Sequence, residues 1–260
     1  MKTNKLVSEI KTYWDNQPCG IKKGQGEIGT LEYFQTGSQR RYSVEPHLRD
    51  FAEFHYWRGK RVLEIGCGMG WDAVEFAKHG AHYVGIDISQ ESVDLAKQQF
   101  KVYDLDGEFH VIDSADSEAL KQLGEFDLVY SMGVIHHYPD IQGIINNIYH
   151  NVATDGEFRF MVYAKNSWKY AMIQKGLDQF EAQSNCPYAE AFTKDEIAML
   201  LKGRFDIVTL AQTHCFMYNV NKYKQGENEL EPWFAAMPAE VREAVQEYLG
   251  WHLLIKARKI

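Results

Sequence analysis

The chain has 260 residues, 45% of them hydrophobic and 25% charged, which suits one α/β unit with a buried core and excludes a chain disordered throughout. Its 28 basic and 36 acidic residues leave a net charge of −8, with Lys and Arg gathered only in short patches, so a nucleic-acid partner is not expected. No apolar run approaches a bilayer span, residues 1–10 lack the apolar centre of a secretory signal, and the 4 cysteines stand far apart without a CxxC pair. A cytoplasmic protein without membrane attachment or a cysteine-based metal knuckle is therefore expected.

In chain order, residues 1–58 read as a mostly helical, aromatic-rich extension or lid. Residues 59–260 read as the main domain, with insertions near 165–200 and 213–250. Within that domain short apolar runs alternate with helical patterns, as in a parallel sheet covered by helices. Strands are expected at 61–65, 82–86, 108–112, 126–131 and 157–162. Helices are expected at 71–79, 90–100, 117–123 and 139–151. A further helix is expected over 168–180. Thr193, with Glu196 three residues on, has the form of a helix-entry capping box. Two more strands are expected at 205–210 and 251–257. The stretch between them is too long for a hairpin turn and calls for its own helix.

The strongest local signal is Arg61-Val-Leu-Glu-Ile-Gly-Cys-Gly-Met-Gly-Trp71. A strand runs into Gly66, Gly68 and Gly70, and a helical pattern follows at once. Glycines there let the backbone turn sharply and approach a ligand, while the helix start offers unpaired N–H groups. A dinucleotide loop wants G-x-G-x-x-G, whose third glycine would fall where Trp71 stands. Glu64, two places before Gly66, favours a ligand with a cationic end over a phosphate. The second strand ends at Ile86-Asp87-Ile88. A carboxylate there can accept from both hydroxyls of a ribose, or else cap the next helix. Asp113, after the third strand, can accept the exocyclic amine of adenine; with Asp116 it can equally form a turn.

Together with Phe126-Asp-Leu-Val-Tyr-Ser-Met-Gly-Val-Ile-His-His-Tyr-Pro-Asp140 and Asp155-Gly-Glu-Phe-Arg-Phe-Met-Val-Tyr163, these residues resemble the class I S-adenosylmethionine-dependent methyltransferases. Within that family they look most like the small-molecule branch of ubiquinone and menaquinone biosynthesis. The resemblance implies a Rossmann-like, mainly parallel sheet with helices on both faces, a C-terminal antiparallel hairpin and an N-terminal helical extension. It implies S-adenosylmethionine as cofactor. Gly66, Cys67, Gly68 and Gly70 would lie along its methionine and ribose portions, with Glu64 facing the cationic end. Asp87 and Ile88 would meet the ribose, Asp113 and Ser114 the adenine, and Ser131 and Met132 the methionine portion. Arg41 and Tyr42 are further candidates, for the methionine carboxylate.

His136 and His137 follow the fourth strand, where the family's acceptor approaches. A neutral imidazole there can take the proton of an attacking hydroxyl or amine, with His136 the preferred base; alternatively one histidine packs and the other orients the cofactor. Tyr163, Asn166, Trp168 and Tyr170 are candidates for the acceptor's wall. Methyl transfer from a sulfonium needs positioning and exclusion of water more than covalent help, so no triad and no metal are required. The activity expected is O- or N-methylation of a small molecule. An NAD-dependent oxidoreductase and a non-catalytic S-adenosylmethionine-binding module are the alternatives; the oligomeric state is open.

Overall fold

A computed structural model describes residues 2–176, 186–215, 217–225 and 227–260. Its centre is an eight-stranded sheet built from β1 (Arg61–Ile65), β2 (His82–Asp87), β3 (Glu108–Val111), β4 (Phe126–Met132), β5 (Val152–Ala164), β6 (Ala191–Phe192), β7 (Phe205–Thr213) and β8 (His252–Lys259). The order is β3-β2-β1-β4-β5-β8-β7, with β6 paired to β5 off that path. The pairs β1–β2, β1–β4, β2–β3, β4–β5 and β5–β6 are parallel, whereas β8 runs antiparallel to both β5 and β7. This is the Rossmann-like α/β sheet with a C-terminal antiparallel pair that the sequence implies. The chain reverses its direction of travel across the sheet between β1 and β4. Open α/β sheets bind ligands at such a point, outside the carboxyl ends of the strands.

Both faces of the sheet are covered, so its central strands carry near-continuous apolar runs. In β1 the side chains alternate between two cores. Leu63 and Ile65 join Val129, Phe158 and Phe160 beneath α7 (Ile141–Asn151), whose Ile144, Ile145 and Ile148 are all buried. Val62 joins Leu128, Tyr130 and Met161 on the opposite face. That face is closed by α4 (Trp71–Lys78), α5 (Gln90–Tyr103) and the N-terminal extension, which contains α1 (Lys2–Asn16), α2 (Leu31–Val44), α3 (His47–Ala52) and a 3-10 turn at Phe54–Trp57. Buried Arg159 in β5 ties the extension down. It donates to the carbonyls of Phe51 (2.9 Å) and Ala52 (3.1 Å) and pairs with Glu53 (2.7 Å) and Glu157 (2.8 Å).

Several boundaries move from their expected places. β5 begins at Val152, ahead of its expected start at 157, because the strand continues through a register shift opposite β4. Asp140 caps α7, which therefore starts at Ile141 and not at the proline before it. The two-residue strand β6 has no signature of its own. The expected helix over 168–180 is seen as α8 (Trp168–Gln174), and its end from 177 on lies outside the described residues. Helices α6 (Ser117–Gln122) and α9 (Lys194–Leu201) follow their patterns, and Thr193 and Glu196 form the full reciprocal capping box. Between β7 and β8 the insertion holds three helices, α10 (Val220–Lys224), α11 (Pro232–Ala235) and α12 (Ala239–Leu249), where one was expected. Among the described residues no helix is long and apolar enough to cross a membrane.

Candidate functional site

The loop after β1 bends back over β2, where the N–H groups of Gly66 and Cys67 both donate to the carbonyl of Ile86, at 2.7 and 2.9 Å. Gly66 has φ of 72°, and a Cβ there would stand 2.4 Å from the side chain of Val134, just past β4, so the turn favours glycine on both counts. Gly68, at φ of 53°, has no heavy atom within 4 Å of where its Cβ would point. The loop thus presents bare backbone to open space. Asp87 closes the ring: its two oxygens accept from the N–H groups of Gly68 and Ser89, each at 2.9 Å. A carboxylate has about four lone-pair sites, so two remain for a vicinal diol. Burial raises the Asp87 pKa, and the two backbone hydrogen bonds oppose that rise. Cys67 is buried in the loop, and burial, reinforced by the charges of Asp87 and Glu64, pushes its thiol well up. Ile88 follows Asp87 at the mouth, half-buried.

Beneath the loop lies a buried ionic network. Glu64 accepts from the Tyr83 hydroxyl at 2.5 Å. Burial first, and then the charge of Asp72, holds its carboxyl well above the usual range. A cationic group brought beside Glu64 relieves that condition, because opposite charge favours the ionised form. Asp72, in the first turn of α4, takes two hydrogen bonds from Arg41 (3.1 and 2.8 Å), one from Tyr42 (2.7 Å) and one from Tyr130 (3.2 Å). Arg41 and Tyr42, expected at the methionine carboxylate, are thus engaged by a carboxylate of the protein itself. Asp72 was not expected as a partner, because nothing in the sequence marks it apart from an ordinary acid in a helix's first turn. Burial works against the Arg41 charge, but Asp72 and Glu45 outweigh it and raise its pKa well above the ordinary value.

Just beyond β3, Asp113 accepts through Oδ1 from the N–H of Ala115 (2.9 Å) and from the hydroxyl of Tyr138 (2.8 Å). These contacts leave Oδ2 for a further donor. Ser114 is buried and its carbonyl takes a hydrogen bond from Asn147 at 3.1 Å. Tyr138 was not foreseen, although it lies next to the histidine pair in the sequence. Ser131, at the end of β4, donates to the Ile65 carbonyl at 3.2 Å, so its hydroxyl braces β1, while Met132 beside it is half-buried.

His136 and His137 sit on a 3-10 turn, Ile135–His137, immediately past β4. His137 donates from Nδ1 to the Tyr188 carbonyl at 2.8 Å, and burial lowers its pKa to about 4. The His136 ring is wholly buried, 4.0 Å from the ring of Tyr163, which stacks on Trp251 at 4.3 Å. Neither His136 nitrogen has a hydrogen-bond partner among the described residues. Burial, together with the nearby imidazoles of His137 and His252, keeps it neutral, well below its usual pKa. Over this end of the sheet lies the end of α1. Trp14 meets the His137 ring edge-on at 5.3 Å, and Asp15 accepts from the N–H of Gln90 at 3.0 Å.

A second cluster lies nearby. Glu45, His214 and His252 offer ligand atoms all within 4.8 Å of one another. It was invisible in the sequence, since its members come from three distant stretches.

Tested against these contacts, S-adenosylmethionine fits. The donor set offers a buried acid for its cationic end, a carboxylate with free lone pairs for its ribose, a second for its adenine, and a glycine face with no Cβ in the way.

The family described as methyltransferase domain matches residues 37–224. Among curated proteins, the ubiquinone biosynthesis O-methyltransferase of Salmonella paratyphi A is 32% identical over 117 residues, 44% of this chain and 48% of that protein. The protein of the same name from Coxiella burnetii is 32% identical over 114 residues, 44% of this chain and 47% of that one. The chain spans about half the length of these curated relatives. Among solved structures, a magnesium protoporphyrin IX methyltransferase from Synechocystis with bound S-adenosylhomocysteine superposes with a TM-score of 0.63 at 16% identity, covering 98% of this chain and 100% of that one. An S-adenosylmethionine-dependent methyltransferase from Archaeoglobus fulgidus gives 0.57 at 18% identity, covering 84% and 94%. The fold is that of these enzymes.

Proposed function

The chain belongs to the methyltransferase-domain family, and from that premise we propose that it moves the methyl group of S-adenosylmethionine to a hydroxyl or amine of a small molecule. One observation carries the reading: Glu64, Asp87 and Asp113 stand at or just past the carboxyl ends of three adjacent parallel strands, around a glycine loop whose Gly68 face is open. The O-methyltransferase relatives support oxygen as the atom methylated. Neither the oxidoreductase nor the non-catalytic alternative finds support in the comparisons.

When bound, the cofactor supplies a methyl group on a positively charged sulfur, which is already a good leaving group. The chain's own task is to hold, align and keep dry. Asp87 holds the ribose, Asp113 with Ser114 the adenine, and Gly66, Cys67 and Gly70 shape the loop. Glu64 holds the cationic end, and Ser131 and Met132 line the methionine portion. His136, neutral and with both ring nitrogens unpartnered, offers a lone pair to the acceptor's departing proton. His137, held by the Tyr188 carbonyl, keeps its neighbour in place. Residues 1–58 act as a lid over the cofactor, and the described parts of the insertions near 165–200 and 213–250 surround the acceptor. Four cysteines spaced far apart without a CxxC pair suit a reducing, cytoplasmic setting.

Calorimetry with S-adenosylhomocysteine tests the cofactor half, and isotopically labelled S-adenosylmethionine with cell extract, read by mass spectrometry, tests the transfer. His136→Gln is expected to lower kcat by about 10²- to 10⁴-fold while cofactor affinity stays within about twofold. Unchanged turnover in that variant removes the base. Absence of binding heat removes the function.

A further inference from the structure

The cluster of Glu45, His214 and His252 is separate from the acids that hold the cofactor. Glu45 follows α2, His214 follows β7, and His252 opens β8 opposite Tyr163 and Thr213. Side chains from three separate elements therefore converge at the carboxyl end of β5. Both imidazoles are buried, and Glu45 is 15% exposed at its side chain.

We propose that Glu45, His214 and His252 bind a divalent metal ion of the zinc class, with His47 and Lys23 as outer supports. The inference does not depend on the methyltransferase reading. Two imidazoles and one carboxylate are a ligand set that zinc takes in sites with a fourth position open to water or substrate. The hydrogen bonds around two of the ligands, His252 and Glu45, match what a metal requires of its surroundings. His252 points Nε2 toward Glu45 Oε1, 3.9 Å away, and its other nitrogen, Nδ1, meets His47 Nε2 at 3.1 Å. An imidazole that coordinates through one nitrogen nearly always donates its other N–H to a fixed acceptor, which orients the ring. Glu45 is divided in the same manner, with Oε1 toward His252 and Oε2 held by Lys23 at 3.4 Å. The donors, within 4.8 Å of one another, must close to about 3.3 Å for bonds of about 2.0 Å in a tetrahedron. That closing calls for rotation of the three side chains.

Tyr163, the cross-strand partner of His252, brings the Tyr163–Trp251 stack on which His136 rests next to the cluster. Buried Lys169, whose ammonium lies 6.0 Å from the Trp251 ring, adds positive charge on that side.

The test uses tag-free full chain, stripped with EDTA and dialysed. Titration with zinc chloride in a calorimeter is expected to show about one ion bound per chain. Cobalt(II) in its place is expected to give the intense visible bands of a tetrahedral or five-coordinate site. Glu45→Gln, His214→Asn and His252→Asn should each weaken zinc binding at least tenfold. His47→Asn should weaken it about 10- to 100-fold, and His150→Asn, on the exposed face of α7, should not change it. Wild-type affinity in the three ligand variants overturns the site. So do weak octahedral cobalt bands in the unaltered protein, which decide the matter even if a variant fails to fold.

Discussion

Asp87 illustrates how much one side chain is asked to do. Its oxygens already hold the N–H of Gly68 and of Ser89 at 2.9 Å each, so it sets the loop's shape before any ligand arrives. Asp87→Asn exchanges one acceptor oxygen for a donor and removes the charge. Hydrogen bonds to a charged group contribute about 1.5–3 kcal/mol, so S-adenosylhomocysteine should bind roughly 10- to 150-fold more weakly by calorimetry. The placement of Asp87, Glu64 and Asp113 at strand ends was legible in the sequence because a strand's end is recognisable from its apolar run. Arg41 was legible only as a cation. Which carboxylate it meets depends on how α2 packs against α4, and the structure gives it Asp72.

At the scale of elements, periodicity and capping located the helices well wherever the cap was local. Thr193 and Glu196 are three residues apart, so their reciprocal hydrogen bonds could be read without knowing the fold. β6 could not be read in this manner. Its two residues form a strand only because β5 runs on beyond Met161, its last partner position against β4, and leaves Tyr163 and Ala164 to pair with them. Helix α1 is a further case. Ile10 is buried, and the helix is pinned by Asp15 on the N–H of Gln90 and by Trp14 on His137. Asp15→Ala is expected to speed hydrogen exchange across α1 while β1 amides keep their protection, because the hydrogen bond it removes anchors a peripheral element. Equal acceleration in both would mean that α1 unfolds only with the whole molecule.

For the molecule as a whole, the joint between extension and sheet is where stability is most exposed to single changes. Arg41 and Asp72 form a buried pair, 13% and 1% exposed at their side chains, and Tyr42 and Tyr130 share the same carboxylate. Arg41→Met leaves Asp72 charged and buried, at a cost of about 3–5 kcal/mol. A protein of this size should then melt roughly 10 °C lower in a calorimetric scan. Adding Asp72→Leu should restore part of the loss, but not all of it, since two phenols then lose their acceptor. A single variant that melts with the wild type would show that the pair contributes little.

By itself the sequence determined the alternation of strands and helices, the glycine bend after β1 and the acids at the strand ends, because all of these depend on residues close together along the chain. Tertiary structure alone decided the partner of Arg41, the burial of His136 against Tyr163, and the meeting of Glu45, His214 and His252. Those contacts join stretches far apart in the chain, and their distances depend on how each layer packs on the sheet, which no local spacing records.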